Sequence, residues 1–164
     1  KNGAMKRLIK VSLARQRLQL LDDECVLMDV AVSTAANGPG ENDGSGCTPR
    51  GWHIVRAKIG EGCRENTVFR GRRPTGEIYS PALREAEPRR DWILSRILWL
   101  SGLEPGLNRL GMVDTMRRYI YIHGTPDEEP MGVALSHGCV RMRNRDIIRL
   151  FELVEIGTRV LIEE

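Results

Sequence analysis

The stretch Arg7–Thr34, "RLIKVSLARQRLQLLDDECVLMDVAVST", decides the fold class of this chain. Two of its segments, Leu8–Ala14 and Arg17–Leu21, alternate apolar and polar residues at a period of two, which is typical of half-buried β-strands. A third segment, Val26–Val32, is rich in β-branched and apolar residues. The stretch therefore predicts three short strands joined by tight turns, at the start of a mainly β fold.

Further strands and a long loop are expected downstream. Strand patterns cover Trp52–Ile59, Arg117–Gly124 and Thr158–Glu163, and the last of these closes the chain. Ser33–Gly51 is dense in Gly, Asn, Pro and Ser, so it is expected to form a long loop. We find no internal repeat and no linker, and predict one domain over residues 1–164.

Helix signals are clear in one place and ambiguous in another. Asn144–Gly157 has a cap residue at its start, an apolar stripe at helical spacing and a glycine at its end, so it predicts a helix. Asp91–Gly102 fits either a helix, with Asp91 as its cap, or a buried strand. The arginine-rich segment Arg70–Arg90 reads as loop, with one short strand near Glu77 and with side chains that could line a lid.

Composition excludes several classes of protein. The chain has 164 residues, of which 41% are hydrophobic and 29% charged, which is ordinary for a globular domain. No apolar run approaches the ~20 residues that span a bilayer. The formal charge is only +3 and much of it is arginine in short clusters. We read these clusters as solvated surface and expect no nucleic-acid partner, with a carboxylate-rich ligand as the second interpretation.

The cysteines and the N-terminal residues give information about the cellular compartment of the protein. Cys25, Cys47, Cys63 and Cys139 form no CxxC pair and are interpreted as individual thiols, with a disulfide between two of them as the open alternative. The first residues lack the apolar core of a signal peptide. We expect a cytoplasmic protein if Met5 is the native start, and a periplasmic or cell-wall protein if a leader has been removed.

The stretch "YIHGTPDEEPMGVALSHGCVRM", Tyr121–Met142, concentrates the residues that carry chemistry. A nucleophilic cysteine needs a neighbouring base, and His123 at the predicted end of a strand is a rigidly mounted candidate for Cys139. Gly138 permits a sharp turn that aims backbone N–H groups at a developing oxyanion. If the chain is extended after Cys139, Arg141 shares its face and can grip a substrate carboxylate.

Two other interpretations of these residues remain open at this point. Cys139 and His123 can be ordinary packed residues, since a buried cysteine usually behaves as a small hydrophobe. His123, His137 and Cys139 are also zinc ligand types, although "HGC" is not a usual zinc spacing and no second pair follows. His53 lies at the start of a strand and is expected to be structural, and Thr48 to act on the site only indirectly.

The motif resembles the catalytic domain of the L,D-transpeptidases, the YkuD family. That family has His-Gly, a loop, then Ser/Thr-His-Gly-Cys, a small apolar residue and Arg or Asn, which is the pattern of His123–Gly124 and Ser136–Arg141. The opening hairpin, the "TPRG" segment at Thr48–Gly51 and the closing strand are also similar to the family. The segment 65–110 shows no strong match.

The resemblance implies a fold and a set of roles. The fold would be a mostly antiparallel β-sandwich or barrel-like domain with one C-terminal helix and long loops, in which Asp91–Gly102 is a strand. The site residues it implies are Cys139 as nucleophile, His123 as base oriented by the carbonyl of Gly124, His137 as pocket wall, Gly138 and its neighbours as oxyanion donors, and Ser136 and Arg141 in substrate binding. It implies no metal and no cofactor.

The resemblance also implies a substrate. The enzyme would attack the third residue, commonly diaminopimelate, of a peptidoglycan tetrapeptide stem, expel the terminal D-Ala and pass the acyl group to an amine or to water. Water as acceptor would make it a carboxypeptidase that trims recycled tetrapeptides. Carbapenems are expected to acylate Cys139. The rivals are a catalytically silent muropeptide-binding module and a sortase-like transpeptidase, against which the short His-to-Cys spacing argues; oligomeric state is open.

Overall fold

A computed structural model describes residues 6–164 of the chain, so that Met5 lies outside the described residues. Within that range the chain forms one curled ten-stranded sheet, two α-helices and a short 3-10 helix at Gly111–Val113. The strands are β1 (Arg7–Ser12), β2 (Arg17–Asp22), β3 (Cys25–Ala31), β4 (Gly51–Ile59), β5 (Thr67–Arg70), β6 (Arg73–Ile78), β7 (Ile93–Gly102), β8 (Tyr121–Thr125), β9 (Val140–Arg143) and β10 (Arg159–Glu163). The α-helices are α1 (Pro81–Ala86) and α2 (Asn144–Leu153).

The sheet is mainly antiparallel, as predicted. Its order is β3-β2-β1-β10-β4-β7-β5-β6, and β8 joins β7 to β9. Two neighbouring pairs are parallel, β1 with β10 and β8 with β9. The three strands expected from Arg7–Thr34 form β1, β2 and β3, and the sheet curls into a half-barrel, which confirms the predicted fold class.

The segment Asp91–Gly102 contains a strand, so the helical alternative was wrong. Strand β7 pairs with β4, β5 and β8, and it is buried over most of its length. Ile97, Leu98 and Leu100 are almost completely buried. A strand covered on both faces reads as a continuous apolar run, which periodicity cannot separate from a buried helix.

Helix α2 packs on β7, β8 and β9 of the sheet. Its buried stripe includes Ile147, Leu150 and Phe151. Arg143 occupies the N-cap position without a capping hydrogen bond from its side chain, and the helix ends at Leu153, so the predictions of Asn144 as cap and Gly157 as stop were wrong. Asn144 lies in the first turn with its side chain buried, and Ser95 Oγ donates a 2.7 Å hydrogen bond to its Oδ1.

The arginine-rich middle of the chain is more ordered than predicted. Strands β5 and β6 form a hairpin, and α1 follows directly. Ser80 caps this helix by accepting a 3.1 Å hydrogen bond from the N–H of Leu83, and Pro81 occupies its first turn. A helix of six residues is too short to show helical periodicity, and therefore the sequence pattern predicted loop.

The strand that carries His123 also differs from its prediction. Strand β8 begins at Tyr121, because Tyr119 takes a left-handed conformation with a φ of 57° and ends a turn. His123 is therefore the third residue of five in β8, and not its last residue. In the described part of the chain, no helix is long and apolar enough to cross a membrane.

Candidate active site

The parallel pairing of β8 with β9 brings the motif residues together. In the register of these two strands, His123 lies opposite Arg141. Cys139 is the residue directly before β9, and its side chain contacts Tyr121 of β8. Side chains two residues apart in a strand share a face, so His123, Cys139 and Arg141 all face one cavity of about 300 Å³. The cavity is lined by Gly71, Arg72, Asp91, Ile93, Arg118, Tyr119, Ile120, Tyr121, His123, Ser136, His137, Cys139 and Arg141.

His123 is buried and held by a backbone carbonyl. Its Nδ1 lies 2.6 Å from the carbonyl oxygen of Gly124, which assigns the proton to Nδ1 and leaves Nε2 as an acceptor. Burial lowers the pKa of His123, against smaller opposing effects of the Asp91 carboxylate and the Gly124 carbonyl. A neutral imidazole with a free Nε2 can accept a proton.

Cys139 is held by the backbone on either side of Ile120. Its Sγ accepts a 3.2 Å hydrogen bond from the N–H of Tyr121 and donates a 3.4 Å contact to the carbonyl of Tyr119. Burial raises the pKa of the Cys139 thiol to about 12, although the Tyr121 N–H favours the thiolate. The resting residue is thus a neutral thiol, which becomes a nucleophile only when a base removes its proton.

The turn before Cys139 uses the special conformation of Gly138. Gly138 has a φ of 138°, which residues with a Cβ rarely adopt. The Ser136 hydroxyl donates to the carbonyl of Cys139 at 2.6 Å and accepts from the N–H of Gly138 at 3.2 Å. Ser136 therefore shapes the turn, and the Gly138 N–H that we expected to face an oxyanion is engaged inside it.

A second segment, distant in sequence, supports this turn. The Thr48 hydroxyl accepts from the N–H of Ala35 at 3.0 Å and donates to the carbonyl of Gly138 at 2.8 Å. Ser33 and Arg141 exchange two backbone hydrogen bonds, of 2.8 and 2.9 Å. Thr48 thus contacts the site through the Gly138 carbonyl, as its indirect role predicted. The contribution of Ser33 was missed, because β-bridge partners so far apart leave no local signal.

Arg141 and His137 both meet a carboxylate that the sequence did not place in the site. Asp91 Oδ1 lies 3.2 Å from Arg141 Nη2, and Asp91 Oδ2 lies 3.9 Å from His137 Nδ1. The side chain of Arg141 is 12% exposed, whereas that of His137 is 79% exposed. His137 thus lies at the mouth of the cavity.

Arginine and aromatic side chains form another part of the cavity wall. The Arg72 guanidinium lies 4.9 Å from the ring centres of both Trp99 and Tyr119 and donates to the hydroxyl of Tyr121 at 3.0 Å. Arg118 donates to the carbonyl of Cys47 at 2.7 Å. Arg72 lies in the segment Arg70–Arg90, whose side chains we considered as the lining of a lid, with exposed loop as the default. For Arg118 the arginine clusters were the sequence signal, and we interpreted most of their charge as solvated surface.

A second cavity of about 240 Å³ adjoins the first and shares Asp91, His137 and Arg141 with it. Within residues 6–164, no three His, Cys, Asp or Glu side chains come together as a metal site would require. His53 is buried away from the cavity, with its ring nitrogens 3.0 Å from the Gly51 carbonyl and 3.0 Å from the Thr115 hydroxyl. Its surroundings agree with the structural role predicted for it.

Comparison with known proteins identifies the family. The profile of the YkuD family, described as the L,D-transpeptidase catalytic domain, matches residues 6–162. This chain belongs to that family. The match spans nearly the whole chain, including the arginine-rich middle for which the sequence had suggested no strong resemblance.

Individual relatives agree with this assignment. A Bacillus subtilis protein, the putative L,D-transpeptidase YqjB, is 49% identical over 43 residues, which are 26% of this chain and 24% of that protein. An L,D-transpeptidase from Mycobacterium smegmatis has the same fold, with a TM-score of 0.60 and 14% identity over 97% of this chain and 59% of the other. The L,D-transpeptidase LdtMt1, solved in complex with imipenem, gives a TM-score of 0.57 at 16% identity over 96% and 58% of the two chains. The chain thus spans less than two thirds of the proteins that it matches.

Proposed function

We propose that this chain is a cysteine-dependent L,D-transpeptidase that acts on the tetrapeptide stems of peptidoglycan. The observation that carries the proposal is the shared face of β8 and β9, on which a buried His123 with a free Nε2 accompanies the thiol of Cys139. Membership of the family supports the same activity. The roles of single residues rest on geometry and are proposals.

The thiol and the imidazole react as a neutral pair. His123 Nε2 takes the proton of Cys139 while Sγ attacks the carbonyl carbon of the third stem residue. When the tetrahedral intermediate collapses, the bond to the D-Ala nitrogen breaks and that nitrogen receives the proton from His123. An acceptor amine, or water, then gives a proton to His123 and attacks the thioester carbonyl. When this second intermediate collapses, the C–S bond breaks and Cys139 Sγ takes the proton back from His123, which restores the resting pair.

The negative charge of the intermediate needs donors in the turn. Because the Gly138 N–H is bound to Ser136, we assign this role to the N–H groups of Cys139 and His137. Arg141 is assigned to a substrate carboxylate, since the guanidinium lies on the face of Cys139. The wall formed by Arg72 and Arg118 adds positive charge, which suits an anionic stem peptide.

The acceptor decides between two forms of the proposal. An amine acceptor makes a cross-link and belongs at the cell wall, whereas water makes a carboxypeptidase, which fits the trimming of recycled tetrapeptides in the cytoplasm. We also propose that carbapenems acylate Cys139, by analogy with the imipenem complex of LdtMt1. A silent muropeptide-binding module is the rival from another class, and such a module would have no need of a thiol and an imidazole that face the same cavity.

The test is incubation of the protein with a disaccharide-tetrapeptide, with and without an amine acceptor, followed by mass spectrometry. We expect release of D-Ala in both cases, with a cross-linked product only if an amine is the acceptor. The variant Cys139→Ala should release none. Cys47→Ala is the matched control, because Cys47 lies beside the same turn but outside the lining of the cavity, and it should retain activity.

Several outcomes would contradict the proposal. Absence of D-Ala release by the wild type, or full release by Cys139→Ala, would refute the enzymatic assignment. A carbapenem adduct found on Cys47 instead of Cys139 would refute the choice of nucleophile. Binding of the muropeptide without turnover would favour the silent module.

A further inference from the structure

Asp91 is the one carboxylate among the described residues that line the Cys139 cavity. It directly precedes Trp92 and strand β7, and its side chain is 47% exposed. It also lines the second cavity, so that its carboxylate stands where the two cavities meet. The ion pair between Asp91 and Arg141 therefore lines both cavities.

Arginines alone would make this cavity a general carboxylate site. Arg72, Arg118 and Arg141 all line it, and any carboxylate-bearing ligand gains from their charge. A carboxylate placed among them works against such a ligand by repulsion. Asp91 is thus expected to change which anion is accepted, because specificity arises as much from repulsion of the wrong ligand as from attraction of the right one.

Arg141 keeps hydrogen-bonding capacity although Asp91 holds one of its nitrogens. Nη2 is bound to Asp91 at 3.2 Å, but Nη1 has only a 3.5 Å contact to the carbonyl of Leu135 and a 4.0 Å approach to Glu129. A guanidinium carries five N–H donors, so Nη1 can still bind a ligand carboxylate. Asp91 Oδ2 has only the 3.9 Å approach of His137, and it can accept from a ligand ammonium.

The spacing fits a particular part of the proposed substrate. Cys139 and Arg141 are two positions apart, which is about 6.6 Å along an extended chain. The side chain of the third stem residue starts beside the carbonyl that Cys139 attacks. If it is short and unbranched, its length is similar to this separation. Its end would therefore lie against Asp91 and Arg141.

We infer that Asp91 and Arg141 together recognise a free amino-acid head, with its ammonium and carboxylate on one carbon, at the end of the third stem residue's side chain. The ammonium lies on Asp91 and the carboxylate on Nη1 of Arg141. This inference rests on the proposed function and names its substrate class. A side chain ending in a carboxylate alone meets the repulsion of Asp91, and one ending in an ammonium alone meets the arginines.

Three synthetic disaccharide-tetrapeptides test the inference by their third residue. Meso-diaminopimelate offers both groups, 2-aminopimelate offers the carboxylate alone, and lysine offers the ammonium alone. For the wild type we expect kcat/KM for D-Ala release to be about tenfold higher with diaminopimelate than with either other residue, as the loss of one charged hydrogen bond implies. In Asp91→Asn, the advantage over 2-aminopimelate should fall to about twofold or less.

The control is Asp29→Asn, which removes an Asp–Arg ion pair of 2.9 Å with Arg17 in the hairpin of β2 and β3, where neither residue lines the cavity. It should leave the wild-type preference unchanged. Equal rates for all three substrates in the wild type would overturn the inference, as would an equal loss on diaminopimelate and 2-aminopimelate in Asp91→Asn. D-Ala release from none of the three would instead refute the proposed function itself.

Discussion

The hydroxyl of Thr48 donates a 2.8 Å hydrogen bond to the carbonyl of Gly138, 90 residues further along the chain. Thr48 is completely buried and accepts at the same time from the N–H of Ala35. One hydroxyl thus ties the loop before β4 to the turn that presents Cys139. The carbonyl of Gly138 belongs to the peptide whose N–H is that of Cys139, so this contact fixes the tilt of a proposed oxyanion donor.

Replacing Thr48 with valine should therefore weaken both folding and catalysis. The variant leaves the Gly138 carbonyl and the Ala35 N–H buried without a partner, which costs about 1–3 kcal/mol of the free energy of unfolding. We expect kcat/KM to fall by about tenfold, since a misplaced donor loses part of its stabilisation of the intermediate. Urea unfolding and D-Ala release measure the two effects. Thr48→Ser retains the hydroxyl, and a loss as large in serine as in valine would contradict this explanation.

The value of kcat/KM should fall at low pH and should not rise further at alkaline pH. His123 must be neutral to act as base, and burial lowers its pKa below the ordinary 6.5. Activity should thus fall as the pH drops, with a midpoint below 6.5. Because the pKa of Cys139 is about 12, no further rise is expected near pH 8.5, the ordinary pKa of a thiol. Initial rates from about pH 5 to about pH 9 provide the test, and a rate that climbs towards pH 8.5 would indicate attack by a preformed thiolate.

Loss of the base should be large and specific. His123→Gln should lower kcat/KM by about 10² or more, the usual effect of removing a general base. The free energy of unfolding of this variant should be measured in parallel, so that a loss of folded protein is not mistaken for a loss of catalysis. Undiminished turnover in folded His123→Gln would remove the residue from the mechanism.

His53 should make the fold sensitive to acid. Burial lowers its pKa to about 4, whereas in the unfolded chain it returns to its ordinary 6.5. Below pH 6.5 the unfolded state therefore binds more protons, and stability falls as the pH drops towards 4. The full effect amounts to about 3 kcal/mol. Urea unfolding at about pH 7 and about pH 4 should show a smaller decline in His53→Gln than in the wild type, and equal declines would contradict the assignment.

Gly124 should tolerate no larger residue. A Cβ at this position would lie 2.5 Å from the backbone oxygen of Leu94 and 2.5 Å from Asn144 Oδ1. Since neither the β7 backbone nor the buried Asn144 can move freely, Gly124→Ala should cost about 3 kcal/mol or more. The control is Gly62→Ala, whose added Cβ meets nothing within 4 Å, so that it should cost only the strain of its φ of 80°. Thermal unfolding compares the two, and equal losses would show that the close packing is not the cause.

Local patterns in the sequence predicted much of the sheet. Alternation with a period of two located β1 and β2, because each has one buried face and one wetter face. The same reasoning failed for Arg70–Arg90, where a hairpin and a six-residue helix are too short for a period to appear. It also failed at Asn144, since a residue type that favours caps can equally bond inside a buried network.

The sequence by itself determined the mainly β class, the family and the candidate nucleophile and base, because these depend on residue types at short spacing. Only the tertiary structure decided which face those side chains share, since that follows from the register of β8 against β9. It alone also brought Asp91 to Arg141, 50 residues away. The physical reason is that β7 and β9 both flank β8, and pairing between strands is a long-range property that no local pattern encodes.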